Sequence, residues 1–224
     1  RRFHNRPDHR DRWRRDHGVM QTITGKPNGR LDASRAAKQS TKSRITNGAG
    51  DLFVRSGFHG TSMRDVADRV GLRASSLYRH VKSKQELLLR VLERLMDESL
   101  DGARAAITAS DDPRQNVSLL VRSNIGLARP NETALLQSEL KNLAPHFRRR
   151  IIRKQDEYRR LWLAVLEKGV AQRVFQIEDP KLAFFAVIGA LNYVEHWFNP
   201  SGRLNREQVA EVFSNWVLRS LGAR

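Results

Sequence analysis

Between Ser75 and His80 the chain reads Ser-Ser-Leu-Tyr-Arg-His. Two hydroxyls, a phenol, a guanidinium and an imidazole surround a single large apolar residue. Hydroxyls and phenols hydrogen-bond to phosphates or base edges, and arginine bridges a phosphate or reads guanine. Arg73 precedes the group and Lys84 follows it. Catalytic patterns are missing from the rest of the chain. His80, His146 and His196 are isolated, without metal-ligand spacing. Glu195-His196 lacks the His-Glu-x-x-His arrangement. No glycine-rich loop follows a strand, because no segment sustains strand alternation. An enzyme is not expected, and neither is a resident cofactor or metal.

Such a group needs two short helices to present it. Ser62 and Asp65 have the spacing of a capping box, and Met63, Val66, Ala67 and Val70 supply an inward face up to Gly71. A second short helix is expected from Ser75 to Val81, with Leu77 and Val81 inward. As a helix-turn-helix, the first helix packs across the second, whose outer side enters the major groove. Ser75, Ser76, Tyr78, Arg79 and His80 then face outward. Thr61 and Ser62, at a helix N-terminus, suit a phosphate. The alternative is ordinary helical packing, in which the capping box is only a folding device.

Before this pair, a helix is expected from about Arg35 to Ser56. Ile45, Ala49, Leu52 and Phe53 form its buried stripe, Asn47-Gly48 its weak point and Gly57 its C-cap. After it, a long helix starts near Ser83, where Ser83 and Glu86 form a second capping box. Further helices follow, punctuated by Pro113, Pro130, Pro145 and Pro180. The expected fold is all-α. Residues 1–34 read as a disordered basic arm or extension, 35–84 as a helix-turn-helix domain and 85–224 as a larger helical domain. Met20 is the first methionine, so residues 1–19 read as an upstream extension or a cloning remnant.

The charge agrees with a polyanionic partner. Lys and Arg number 41 against 24 acids, a net +17. Residues 1–84 hold 20 basic and 7 acidic side chains, a net +13; the remaining 21 and 17 give +4. A field concentrated in this way suits nucleic acid, or else belongs to a solvated tail. Lys42 and Arg44, with Arg35 and Lys38, could brace phosphates or enter a minor groove. There is no cysteine, so disulfides and thiolate metal sites are excluded. No run approaches ~18 apolar residues, so no membrane partner is expected.

Residues 44–92 closely resemble the N-terminal DNA-binding domain of TetR-family transcriptional regulators. The matching residues are Ile45, Ala49, Leu52 and Phe53; Gly57-Phe58; Thr61-Ser62 with Arg64-Asp65-Val66-Ala67; and, after Gly71, Leu77-Tyr78, His80 and Lys84. The resemblance implies phosphate or groove contacts at Tyr78 and Lys84, with Ser76 and Arg79 facing DNA. There are three departures: Arg73-Ala74 where a small or polar N-cap is usual, Val81 in place of Phe, and Asn47-Gly48 in place of strong helix formers. Capping then moves to Ser75 or weakens.

The resemblance also implies a homodimer on a palindromic double-stranded operator, joined through the last two long helices, about Lys181–Phe198 and Arg206–Leu221. A bacterial, cytoplasmic, nucleoid-associated regulator is expected, with repression relieved by a ligand as the expected sign of regulation. Trp197, Phe198, Pro200, Gly202 and Leu204 resemble the tail of TetR-like regulators of lipid, fatty-acid or steroid catabolism, some of which respond to acyl-CoA thioesters. The expected effector is a small apolar or amphipathic ligand, an acyl-CoA thioester among them. Phe147, Tyr158, Trp162, Phe184, Phe185 and Tyr193 are candidate pocket walls, or ordinary core aromatics. Arg148, Arg149, Arg150, Arg153 and Lys154 could meet the phosphates of a CoA, or form a solvated basic face. The rival to sensing is a helical dimeric DNA-binding or scaffold protein without a small-molecule ligand.

Overall fold

The computed structural model describes residues 29–127 and 132–223, with side chains from 40 to 126 and from 134 to 223. Among these residues there are nine α-helices and no strand. They are α1 (Gly29–Ser56), α2 (Met63–Arg69), α3 (Ala74–Tyr78), α4 (Lys84–Thr108), α5 (Pro113–Leu127), α6 (Glu132–Ser138), α7 (Pro145–Ala171), α8 (Pro180–Trp197) and α9 (Arg206–Ser220). A 3₁₀ turn, Leu140–Asn142, joins α6 to α7. The first helix begins at Gly29, so 29–34, expected to be irregular, are helical. The rest of the expected basic arm, and the side chains of Arg35 and Lys38, lie outside the described residues.

Within Ser40–Arg224 one apolar core runs from the helix-turn-helix into the larger helical body. Ile45, Ala49 and Phe53 of α1 meet Val66, Ala67 and Leu77, and the Leu87–Leu95 stripe of α4 continues into the body. The elements stop where local chemistry stops them. Gly57 and Gly71 hold φ of +68° and +67°, which a side chain would strain. Gly57 N–H closes on Phe53 O at 3.0 Å.

Gly48 is not the weak point its helix propensity suggests. A Cβ there would lie 2.6 Å from Cγ1 of Val70, so the glycine lets α2 approach α1. Arg44 reinforces that crossing by donating to Val70 O at 2.7 Å, and Arg69 pairs with Asp51 at 2.9 Å.

Farther along, α4 and α7 are laced by Arg150–Glu93 at 2.7 Å, Lys154–Asp97 and Arg104–Glu157 at 2.5 Å. Arg206 at the start of α9 reaches the buried Glu195 of α8 and donates to Ile125 O of α5 at 2.9 Å. No described helix is long and apolar enough to cross a membrane.

Candidate nucleic-acid interface and effector cavity

The capping box at the head of α2 is formed. Ser62 N donates to Oδ2 of Asp65 at 2.7 Å, and Asp65 N donates to Ser62 Oγ at 3.1 Å. The Ser62 backbone N–H, then its hydroxyl, hold the Asp65 carboxyl below the ordinary carboxylate range. The second expected box is only half made. Ser83 Oγ accepts from Glu86 N, but the Glu86 carboxylate turns to the N–H of Lys82 at 2.8 Å.

The recognition segment starts one residue earlier than expected and is shorter, Ala74–Tyr78. Arg73 is its N-cap and makes no side-chain cap hydrogen bond, so capping is weakened and has not moved to Ser75. Leu77 is fully buried and Val81 nearly so. With those two residues inward the opposite side is free: Arg73, Ser75, Tyr78 and Arg79 are exposed, Tyr78 by 52%. Arg79 donates to Ser76 Oγ at 3.1 Å, which draws the guanidinium along the helix. Ser76 and His80 are half-buried, and Ser62 is exposed.

Two expected phosphate contacts are engaged inside the fold. Thr61 is 2% exposed, and its hydroxyl donates to Gly57 O at 2.9 Å. Its side chain is therefore a turn lock, not an outward donor. The half-buried Lys84 donates to Thr61 O at 2.8 Å and lies 4.4 Å from the centre of the Phe58 ring. An ammonium keeps further donors for a phosphate while it holds that carbonyl. Lys42 and Arg44 are exposed, Arg44 with its bond to Val70 O. Arg64 and Lys82 are also exposed on this unit, at positions where the sequence carries no signal beyond positive charge.

Behind this face, a cavity of about 250 Å³ opens among α4, α5, α6, α7 and α8. Met96, Leu136, Phe184, Phe185 and Ile188 give its apolar wall; Asn124, Gln155, Tyr158 and Asn192 bring polar groups. Tyr158 is buried, and burial raises its phenol pKa above the ordinary value. Its oxygen accepts from Asn124 Nδ2 at 3.3 Å. Of the six expected wall residues, Tyr158, Phe184 and Phe185 line the cavity. Trp162 is fully buried behind it, with its ring 6.3 Å from Phe184. Phe147 packs beside His146 at 4.0 Å, and Tyr193 is exposed and stacked on His196. Neither lines the cavity, because α7 and α8 turn those positions away. Its amide-bearing residues come from separate helices and carry no common sequence signal.

One further surface is apolar. Leu182, Phe185, Tyr193 and Trp197 of α8, with Val212 and Trp216 of α9, are exposed. Among the described residues no group of three or more metal-binding side chains is assembled.

Taken together, these features define a two-part helical regulator: a helix-turn-helix on a helical body with its own cavity and an uncovered apolar face. Residues 45–91 match the family described as bacterial regulatory proteins, tetR family, and residues 110–221 match the tetracyclin repressor-like C-terminal domain. The chain belongs to the TetR family of transcriptional regulators, which are not enzymes.

It is 28% identical over 192 residues to the HTH-type transcriptional repressor KstR2 of Rhodococcus jostii, covering 84% of this chain and 94% of that protein. The structure of the TetR-family regulator PfmR from Thermus thermophilus superposes with a TM-score of 0.73 at 29% identity, covering 79% of this chain and 97% of that one. AibR, solved with isovaleryl coenzyme A and operator DNA, shares the fold with a TM-score of 0.72 at 23% identity, covering 79% and 97%. The family fold implies DNA binding and dimerisation through the C-terminal helices.

Proposed function

We propose that the protein is a repressor that binds a palindromic operator as a homodimer and is released by a small amphipathic ligand. The observation that carries the DNA half is α3, with Leu77 anchored in the core and Arg73, Ser75, Tyr78 and Arg79 on the open side. A five-residue helix with one buried anchor gains little from the core, which suits a reading element. Two copies must then stand about one helical turn of DNA apart. The exposed apolar face of α8 and α9 supports a twofold partner that sets that spacing.

The cavity supports the ligand half. At about 250 Å³ it sits just below the usual ligand-pocket range of about 300–1,000 Å³. That favours a small molecule, or the acyl end of a thioester with its nucleotide outside. The basic stretch of α7 is a weaker support than its composition suggests. Arg148 donates to Lys141 O, and Arg150 and Lys154 are paired with acids of α4. A CoA phosphate would have to displace those pairs or use the exposed Arg149 and Arg153.

The test begins with a duplex selected by the full chain from a random pool. Its fluorescence anisotropy is titrated with isovaleryl-CoA, decanoyl-CoA and decanoate. The proposal expects saturable binding relieved by at least one of them. Binding that none relieves rejects this ligand class, and failure to select any duplex rejects the operator reading.

A further inference from the structure

The turn leading into α2 is held from outside the helix-turn-helix. Phe58 is buried against Phe53, and its backbone N–H donates to Oε1 of Glu139 at 3.4 Å. Glu139 is 8% exposed and directly follows α6. Its own N–H closes on Leu135 O at 2.9 Å, so it turns with that helix. The second carboxylate oxygen accepts from Asn142 Nδ2 at 2.6 Å. With that amide so oriented, Asn142 Oδ1 takes the Nε2–H of His59 at 3.1 Å. Gln85, in the first turn of α4, grips the same segment twice. Its Nε2 donates to Asn142 O at 2.6 Å, and its Oε1 accepts from Ala144 N at 2.9 Å.

The approach is close as well as polar. A Cβ on Gly57 would lie 3.7 Å from Glu139 Oε1. At the same time α6 carries Leu136 and Gln137, both in the wall of the cavity. Only two or three positions separate that wall from the carboxylate holding the Phe58 turn. A shift of a short helix cannot be absorbed over so few residues, and packed elements move as units.

We infer that Glu139 is a positioning residue for DNA recognition, transmitting the position of α6 to the Phe58 turn and so to α2 and α3. The inference rests on the proposed operator and effector reading. A buried N–H without an acceptor is costly, so loss of the carboxylate releases the turn. Glu139→Gln keeps the acceptor for Phe58 and an amide group for a reoriented Asn142.

The test is a double-mutant cycle on the selected duplex, which needs no effector. Leu136→Trp pushes α6 from the cavity side. It is expected to weaken binding about tenfold with Glu139 in place or in the Glu139→Gln background, and less than about threefold in the Glu139→Ala background. Circular dichroism and sedimentation check that each variant is a folded dimer. Should Glu139→Ala fail to fold, Glu139→Met, which also removes the acceptor for Phe58 N–H but keeps the side-chain volume, takes its place in the cycle with the same expectation. Equal losses in both backgrounds overturn the inference alone. A chain that selects no duplex overturns the operator reading and this inference with it.

Discussion

Replacing Arg206 by Met tests how the body of the molecule is held. The guanidinium pairs with Glu195, whose side chain is 5% exposed, through both terminal nitrogens, the second at 3.3 Å. It also donates to Ile125 O and stacks 4.6 Å from the centre of the Phe198 ring. Methionine preserves much of the apolar stem but leaves the carboxylate without its guanidinium. Removing one partner of a buried pair costs about 3–5 kcal/mol. For a chain of this size, each kcal/mol moves the melting point by about 2–4 °C. A fall of about 10 °C is therefore expected in thermal unfolding followed by circular dichroism at fixed protein concentration. The double change Glu195→Leu with Arg206→Met should recover more than half of it, because no buried charge then remains at the pair. A melting point for Arg206→Met within about 2 °C of the wild type would refute the reasoning.

Further outcomes follow from single features. Gly169→Ala should cost about 1–3 kcal/mol despite better helix propensity, because its Cβ would fall 2.0 Å from Cδ2 of the buried Phe175; urea unfolding measures it, and a gain in stability would contradict the packing. Asp65 has a lowered folded pKa, so its stabilisation is present above the unfolded value and is lost as pH falls through the folded one. Wild type should therefore lose stability more steeply than Asp65→Asn between about pH 5 and pH 2, and parallel profiles would contradict the cap. Ser62→Ala should cost about 1 kcal/mol in the same unfolding assay, and no change would argue against the box.

Much of the fold was legible because its signals are local. Ser62 and Asp65, Gly57, Gly71 and the buried Leu77 each act over a few residues, and all behave as their spacing implies. What sequence could not show depends on partners far along the chain. Lys84 is drawn to Thr61 O, and Gly48 is explained by Val70. The Glu139 carboxylate meets Phe58 across 81 positions. Likewise, the cavity draws on five helices, so aromatic content pointed to Tyr158, Phe184 and Phe185 but equally to Phe147 and Tyr193. Charge asymmetry indicated a polyanionic partner, while the pairing of Arg150 and Lys154 with α4 was hidden until the helices were packed.

Reading of duplex DNA by α3 in a paired molecule is the step on which the proposed regulation depends. Its most direct measurement is the salt dependence of duplex binding, with sedimentation of the complex, for the wild type and for Tyr78→Ala with Arg79→Ala. Two chains per duplex are expected, with an affinity that falls steeply between about 50 and 200 mM salt. The double variant should keep the dimer and lose selective binding. Salt-insensitive binding, or undiminished selectivity in that variant, would contradict it.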